Sequence, residues 1–155
     1  DRNVDLDFAL QRQITTITTV QLLDLEGIPI TIVTAPGANR IAVLSYIIFE
    51  ANFTAAALGD AAAQGNLLVR YDGAGADTNI GIQEADGLID AGADRVAILW
   101  LGTGAGTTSN VQAAATDLVN TEIELLNAGV TFTDPGAADT TLVVHAFYYT
   151  VPAPV

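Results

Sequence analysis

The stretch IPITIVTAPGANRIAVLSYIIFEAN, residues 28–52, decides what kind of fold this chain adopts. Its first part alternates: Ile28, Ile30 and Ile32 fall on one side of an extended chain, Thr31 and Val33 on the other. Ala35-Pro36-Gly37-Ala38-Asn39 is a turn signal. The second part, residues 41–49, is apolar on both sides. Ile41, Val43, Ile47 and Phe49 share one face; Ala42, Leu44, Tyr46 and Ile48 share the other. The pattern predicts a hairpin of two strands whose second strand is covered twice, once by its own domain and once by another chain.

Working outward, the same two-sided apolar character recurs at residues 95–101, with Val96, Ile98 and Trp100 opposite Ala97, Leu99 and Leu101. It recurs again at the end of the chain, where residues 141–151 form a long strand. There His145 shares a face with Val143, Phe147 and Tyr149, and aromatic residues 147–149 occupy both faces. Residues 67–72 read as a strand with Leu67, Val69 and Tyr71 on one face and Leu68 and Arg70 on the other. Residues 119–126 alternate, with Val119, Ile123 and Leu125 inward and Glu122 and Glu124 outward. A brief strand is expected at 80–82 and a helical turn at 84–90. Residues 14–25 leave two readings open. Their Thr, Ile and Val content favours a strand, while Ile14, Ile17 and Val20, three apart, fit a helix.

Seven or eight strands separated by turns, with little helical periodicity, predict an all-β fold, an antiparallel sandwich or barrel. Residues 1–12 read as a polar, acidic arm, and 13–155 as one domain; at 155 residues, half of them hydrophobic, the chain supports one real core. No apolar run approaches the length of about 18 residues that spans a membrane, and the opening DRNVDLDFAL does not read as a signal segment. Eighteen acids against five arginines give a net charge of −13. Direct nucleic-acid binding through a basic face is therefore not expected; docking on a surface with basic patches is. The absence of cysteine removes disulfides, thiolate metal sites and cysteine nucleophiles.

Candidate chemistry is sparse. The loop GTGAGTT at residues 102–108 follows a strand, but its G-x-G-x-G spacing is not the dinucleotide fingerprint, and no lysine exists for a Walker-type loop. Asp72, Asp77 and Asn79 offer oxygen ligands in a glycine-rich loop, short of the number calcium wants. Asp86, Asp90 and Asp94 add to them only if the fold gathers them. His145 is the one histidine; Ser45 and Ser109 are the serines available, and Ser45 lies in the two-sided strand with no nucleophile-elbow glycines around it, so no triad is expected. Glu122 and Glu124, two apart on a strand, read as a solvated face. No cofactor and no enzymatic activity are expected. The surplus apolar surface places Leu44, Tyr46, Ile48, Trp100, Tyr148 and Tyr149 at an interface with another subunit.

The order PITIVTAPGANRIAVL, then LLVRYDG, then VNTEIELLNAGVTFTDPGAADTTLVVHAFYYTVP resembles the small jelly-roll decoration (cement) proteins of tailed bacteriophages. The similar parts are the Ala35-Pro36-Gly37-Ala38 turn followed by Arg40, the Arg70-Tyr71 strand, Asn120, residues 127–133 and the closing TLVV…Y-x-V strand. The resemblance implies an antiparallel jelly-roll β-sandwich that assembles, commonly as a trimer, on the outside of an icosahedral head. There it would clamp neighbouring copies of the major capsid protein. A tail or fibre domain that recognises a host-surface glycan, with or without calcium, is the alternative.

Overall fold

The computed structural model describes residues 9–59, 65–72, 78–101, 115–129, 131–134, 136 and 139–154. Among the described residues eight strands carry the fold: β1 (Gln11–Ile17), β2 (Ile30–Val33), β3 (Arg40–Phe53), β4 (Asn66–Tyr71), β5 (Thr78–Glu84), β6 (Arg95–Trp100), β7 (Ile123–Asn127) and β8 (Thr140–Pro152). Two short helices, α1 (Thr19–Asp24) and α2 (Ala115–Leu118), lie between strands. Sheet A has the order β1-β8-β3-β6, sheet B the order β2-β7-β4-β5, and every described pairing is antiparallel. The molecule is an all-β sandwich. Its core is the interdigitated inner faces, with Ile17, Ile47, Phe49, Leu142 and Val144 from sheet A against Ile32, Leu67, Val69, Ile123 and Leu125 from sheet B.

The expected hairpin between residues 28–33 and 41–49 is not formed. β2 pairs with β7 in sheet B, whereas β3 pairs with β8 and β6 in sheet A. Of the links between consecutive strands, β4 to β5 alone joins partners in one sheet; the others pass from one sheet to the other. The turn at 35–39 is such a crossing. Gly37 at φ +98° and Asn39 at φ +60° bend it, and Asn120 clamps it by accepting from the Gly37 N–H at 3.0 Å while donating its own N–H to the Arg40 carbonyl at 2.8 Å.

Residues 14–25 satisfy both readings in turn. β1 ends at Ile17, and Thr18 caps α1 with a capping box closed by Gln21. Leu22 and Leu25 then enter the core. β1 starts at Gln11, inside the arm expected over 1–12; residues 1–8 lie outside the described ones. β5 is longer than the brief strand expected at 80–82, and β7 starts at Ile123, with Val119 and Asn120 in the turn after α2. At residues 85–89 the chain makes a turn that buries Leu88 and Ile89, the Ala85 carbonyl accepting from both N–H groups.

Candidate functional site

Alternation on the four strands of sheet A sends one set of side chains to the core and the other outward. The registers align the outward set in rows. Ile14 lies opposite His145, His145 opposite Ile48, and Ile48 opposite Ile98; beside that row, Arg12, Phe147, Tyr46 and Trp100 form another. Glu50 pairs with Val96 and Val143 in a third. Most of the face is aliphatic and aromatic, with Arg12, His145 and Glu50 as its polar members, and its edges are open: Val96 is 67% exposed, Trp100 56%, Ile14 49% and Ile98 48%.

Aromatic rings stiffen its middle. The Tyr46 ring stacks on Phe147 with centroids 4.3 Å apart and planes 13° from parallel. It meets Trp100 at 5.0 Å and 30° on the other side. Three rings from three strands therefore form one continuous platform. Charge enters this face sparingly. His145 Nε2 lies 3.4 Å from Glu50 Oε1, an ion-pair distance without hydrogen-bond alignment, and Arg12 stands at the β1 edge.

Of the residues expected at an interface, Tyr46, Ile48, Trp100 and Tyr149 belong to this outward set. Leu44 and Tyr148 do not. Leu44 is buried in the core, and Tyr148 packs against it from the inward side of β8. Tyr148 follows the unbroken alternation of β8 with Leu142, Val144 and Ala146; for Leu44 a β-bulge is the reason. Leu44 pairs with Tyr148 and Tyr46 with Phe147, so Ser45 has no partner and the alternation of β3 inverts there. Residues 42 and 44 consequently share the inner face with 47, 49 and 51. Phe147, Ile14, Val96 and Ile98 complete the outer face and were absent from the expected interface set. Strand alternation applied to residues 141–151 alone would have placed Phe147 there.

The oxygen ligands sort differently from expectation. Asp77 lies outside the described residues, and Asn79 is an exposed β5 residue opposite Arg70. Asp72 instead meets Glu122 and Glu124, the ligand atoms all within 4.8 Å of one another. Glu124 is not solvated as expected. It is 6% exposed because β4 and β7 pair Arg70 directly opposite it, and Arg70 Nε contacts its carboxylate at 2.5 Å. Glu122 accepts a hydrogen bond from the Thr31 hydroxyl at 3.0 Å. Asp72, Asp117, Asn120 and Glu122 line an open cleft of about 420 Å³ beside them. Asp90 and Asp94 are used elsewhere, accepting from the Gly87 and Phe53 N–H groups. Two of the three carboxylates are already engaged, Glu124 by Arg70 and Glu122 by the Thr31 hydroxyl.

The glycine-rich loop at 102–108 and Ser109 lie outside the described residues. Ser45 is the bulge residue of β3, and the cross-strand neighbours of His145 are Ile14 and Ile48.

No family model matches the sequence, and no curated protein sequence matches it. Among solved structures, the fold is similar to a chain of the cyanophage Pam1 capsid asymmetric unit. The TM-score is 0.50 at 14% identity, over 91% of this chain and 84% of that one.

Proposed function

We propose that this chain is a structural virion protein of a tailed bacteriophage. It decorates the outside of an icosahedral head as a homo-oligomer and clamps subunits of the major capsid protein. The observation that carries the reading is the outer face of sheet A. A stacked platform of Tyr46, Phe147 and Trp100, flanked by exposed Val96, Ile98 and Ile14, is far more apolar than a free sheet surface requires. Its chemistry suits association, which supports a role without catalysis or cofactor. The likeness to a chain from a cyanophage capsid assembly supports the virion setting. Two four-stranded antiparallel sheets, joined by links that pass from sheet to sheet, support reading the sandwich as a jelly roll.

The acidic remainder of the surface fits the same role. A net charge of −13 keeps a chain with this face soluble and steers it towards basic patches on a shell. The test is addition of the purified chain to heads that lack it, followed by sedimentation. Co-sedimentation that saturates, and that is lost in Trp100→Asp, is the expected result. A chain that stays in the supernatant with heads of every maturation state would overturn the reading.

A further inference from the structure

Alternation carries the inner side of sheet A past the core to one end of the sandwich, where its residues turn polar. On β8, Leu142, Val144 and Ala146 are buried, and Tyr148 and Thr150 continue their side. On β3, Leu44 and Ala42 are buried and Arg40 continues theirs; on β1, Ile17 is buried and Gln11 shares its parity. The register gathers these polar residues: Gln11 is the partner of Tyr148, Ala42 of Thr150, and Arg40 of Pro152. With Thr34 and Pro36 from the crossing between the sheets, they line a cleft of about 330 Å³.

The walls of this cleft are tied in place. The Thr34 N–H donates to Gln13 Oε1 at 3.0 Å, joining β1 to the chain that leaves β2. Asn120 holds the turn at 35–39 from its other side, and the Ala153 N–H donates to the Asn39 carbonyl at 2.8 Å. Arg40 is the one charged residue lining the cleft. Eighteen acids stand against five arginines in the chain, yet Arg40 has no ion-pair partner among the described residues. The side chains of Gln11, Tyr148 and Thr150 make no hydrogen bond there either. Charge is sorted by the turn, because Ala35 separates this cleft from the one lined by Asp72, Asp117 and Glu122.

We propose that this cleft binds a carboxylated monosaccharide unit, a sugar acid, with its carboxylate on the Arg40 guanidinium. A planar guanidinium takes a carboxylate through two parallel N–H donors. Around it, the Gln11 amide and the Tyr148 and Thr150 hydroxyls both donate and accept. The Thr34 hydroxyl, which donates to Gln13 Oε1, keeps its lone pairs. One cation among several uncharged polar groups matches one carboxylate among ring hydroxyls, and Tyr148 and Pro36 offer apolar wall to the carbon face of the ring. The volume is near the lower bound of about 300 Å³ for ligand clefts, which suits a single ring. The net charge of −13 does not oppose a ligand with one charge at a locally positive site, since exposed charges beyond about 8 Å are largely screened at physiological ionic strength. The cleft opens at the end of the sandwich, off the outer face of sheet A, so the inference stands apart from the decoration role.

Titration of the isotope-labelled chain with methyl glucuronide and with a methyl sialoside, followed by amide NMR, tests the proposal. At least one of the two sugar acids should give saturable shifts at Gln11, Thr34 and Thr150, with methyl glucoside far weaker. Arg40→Gln should weaken that binding by about tenfold or more, the worth of a charge-assisted hydrogen-bonded pair. Arg95→Gln removes the same charge near the opposite end of β3, where Arg95 pairs with Ala51, and should leave the affinity unchanged. The amide spectrum of each variant shows that it is folded. Equal affinity for the neutral glucoside, or equal losses from the two arginine substitutions, overturns the carboxylate contact at Arg40. N-acetylglutamate amide binding as tightly as the sugar acid assigns the cleft to an acidic protein side chain and overturns the sugar. Absence of shifts at the cleft with both sugar acids, up to their solubility, overturns the site; none of these results touches the decoration reading.

Discussion

The Tyr46 ring lies 4.3 Å from that of Phe147 and nearly parallel to it, on the outside of sheet A and not in the core. A stacked pair in that position stabilises the domain little for its size, since both rings are only half-buried. Tyr46→Ala should therefore cost about 1–2 kcal/mol, the worth of an aromatic pair with partial burial, and leave unfolding cooperative. Phe49→Ala, on the inner side of the same strand, should cost about 3–5 kcal/mol, since Phe49 is fully buried. Urea denaturation of the two variants checks the contrast, and equal losses would contradict the assignment of faces.

The bulge at Ser45 makes a second contrast inside one strand. Leu44 lies in the core and Ile48, on the other side of the bulge, points out. Leu44→Asp should bury an unpaired carboxylate and abolish folding. Ile48→Asp should leave a folded domain with a melting temperature lowered by several degrees at most. An uninterrupted β3, with Leu44 and Ile48 on one face, predicts the same outcome for both, so soluble expression and thermal melts decide between them.

That contrast also marks where sequence reading stops. Strand identity was legible because alternation and β-branched content are local properties; the runs at 67–72, 95–101 and 141–151 hold within a residue or so. Pairing partners were not. Residues 28–52 carry a turn flanked by two strands, and nothing local distinguishes a hairpin from a crossing between sheets. The choice lies in β7 and β8, some ninety to a hundred residues away, which take β2 and β3 as partners. A bulge is equally silent, because Ser45 differs from its neighbours by one polar atom and yet inverts the parity that placed Leu44 at the surface. Glu124 shows the same limit from the other side. Its outward direction was correctly read from alternation, but its burial depends on Arg70, which the β4–β7 register brings opposite.

The Arg70–Glu124 pair gives a third prediction. Both side chains are largely buried, at 18% and 8% exposure, so removing one partner takes from the other its opposite charge at 2.5 Å. Glu124 also has Asp72 and Glu122 beside it. Arg70→Met should cost about 3 kcal/mol, whereas the double change Arg70→Met, Glu124→Leu should recover most of that loss, because a buried ion pair exchanged for apolar side chains is close to neutral. A double-mutant cycle in urea measures the coupling directly. Additive losses would mean that the pair is solvent-screened.

Tyr71 couples the two sheets and does so in a pH-dependent way. It projects from β4 in sheet B, and its hydroxyl donates to the Ala42 carbonyl of sheet A at 2.6 Å. Burial, and secondarily the proximity of Tyr149, raises its pKa from 10.0 to about 12. The sign follows from proton counting. Between pH 10 and 12 the folded chain keeps this proton while the unfolded chain loses it, so rising pH favours unfolding. The contribution is fully present below pH 10 and falls by roughly 2–3 kcal/mol by pH 12, at about 1.4 kcal/mol per unit. Tyr71→Phe removes the proton and the hydrogen bond together. At pH 7 it should be less stable than the wild type by about 1–2 kcal/mol, because the Ala42 carbonyl is left without that donor. Above about pH 11 the order should reverse, since the variant no longer titrates there. Denaturation of both proteins across pH 7–12 reads the difference, in which the other tyrosines and the arginines cancel. A gap that stays constant with pH would mean that the Tyr71 phenol ionises in the folded chain as it does in water.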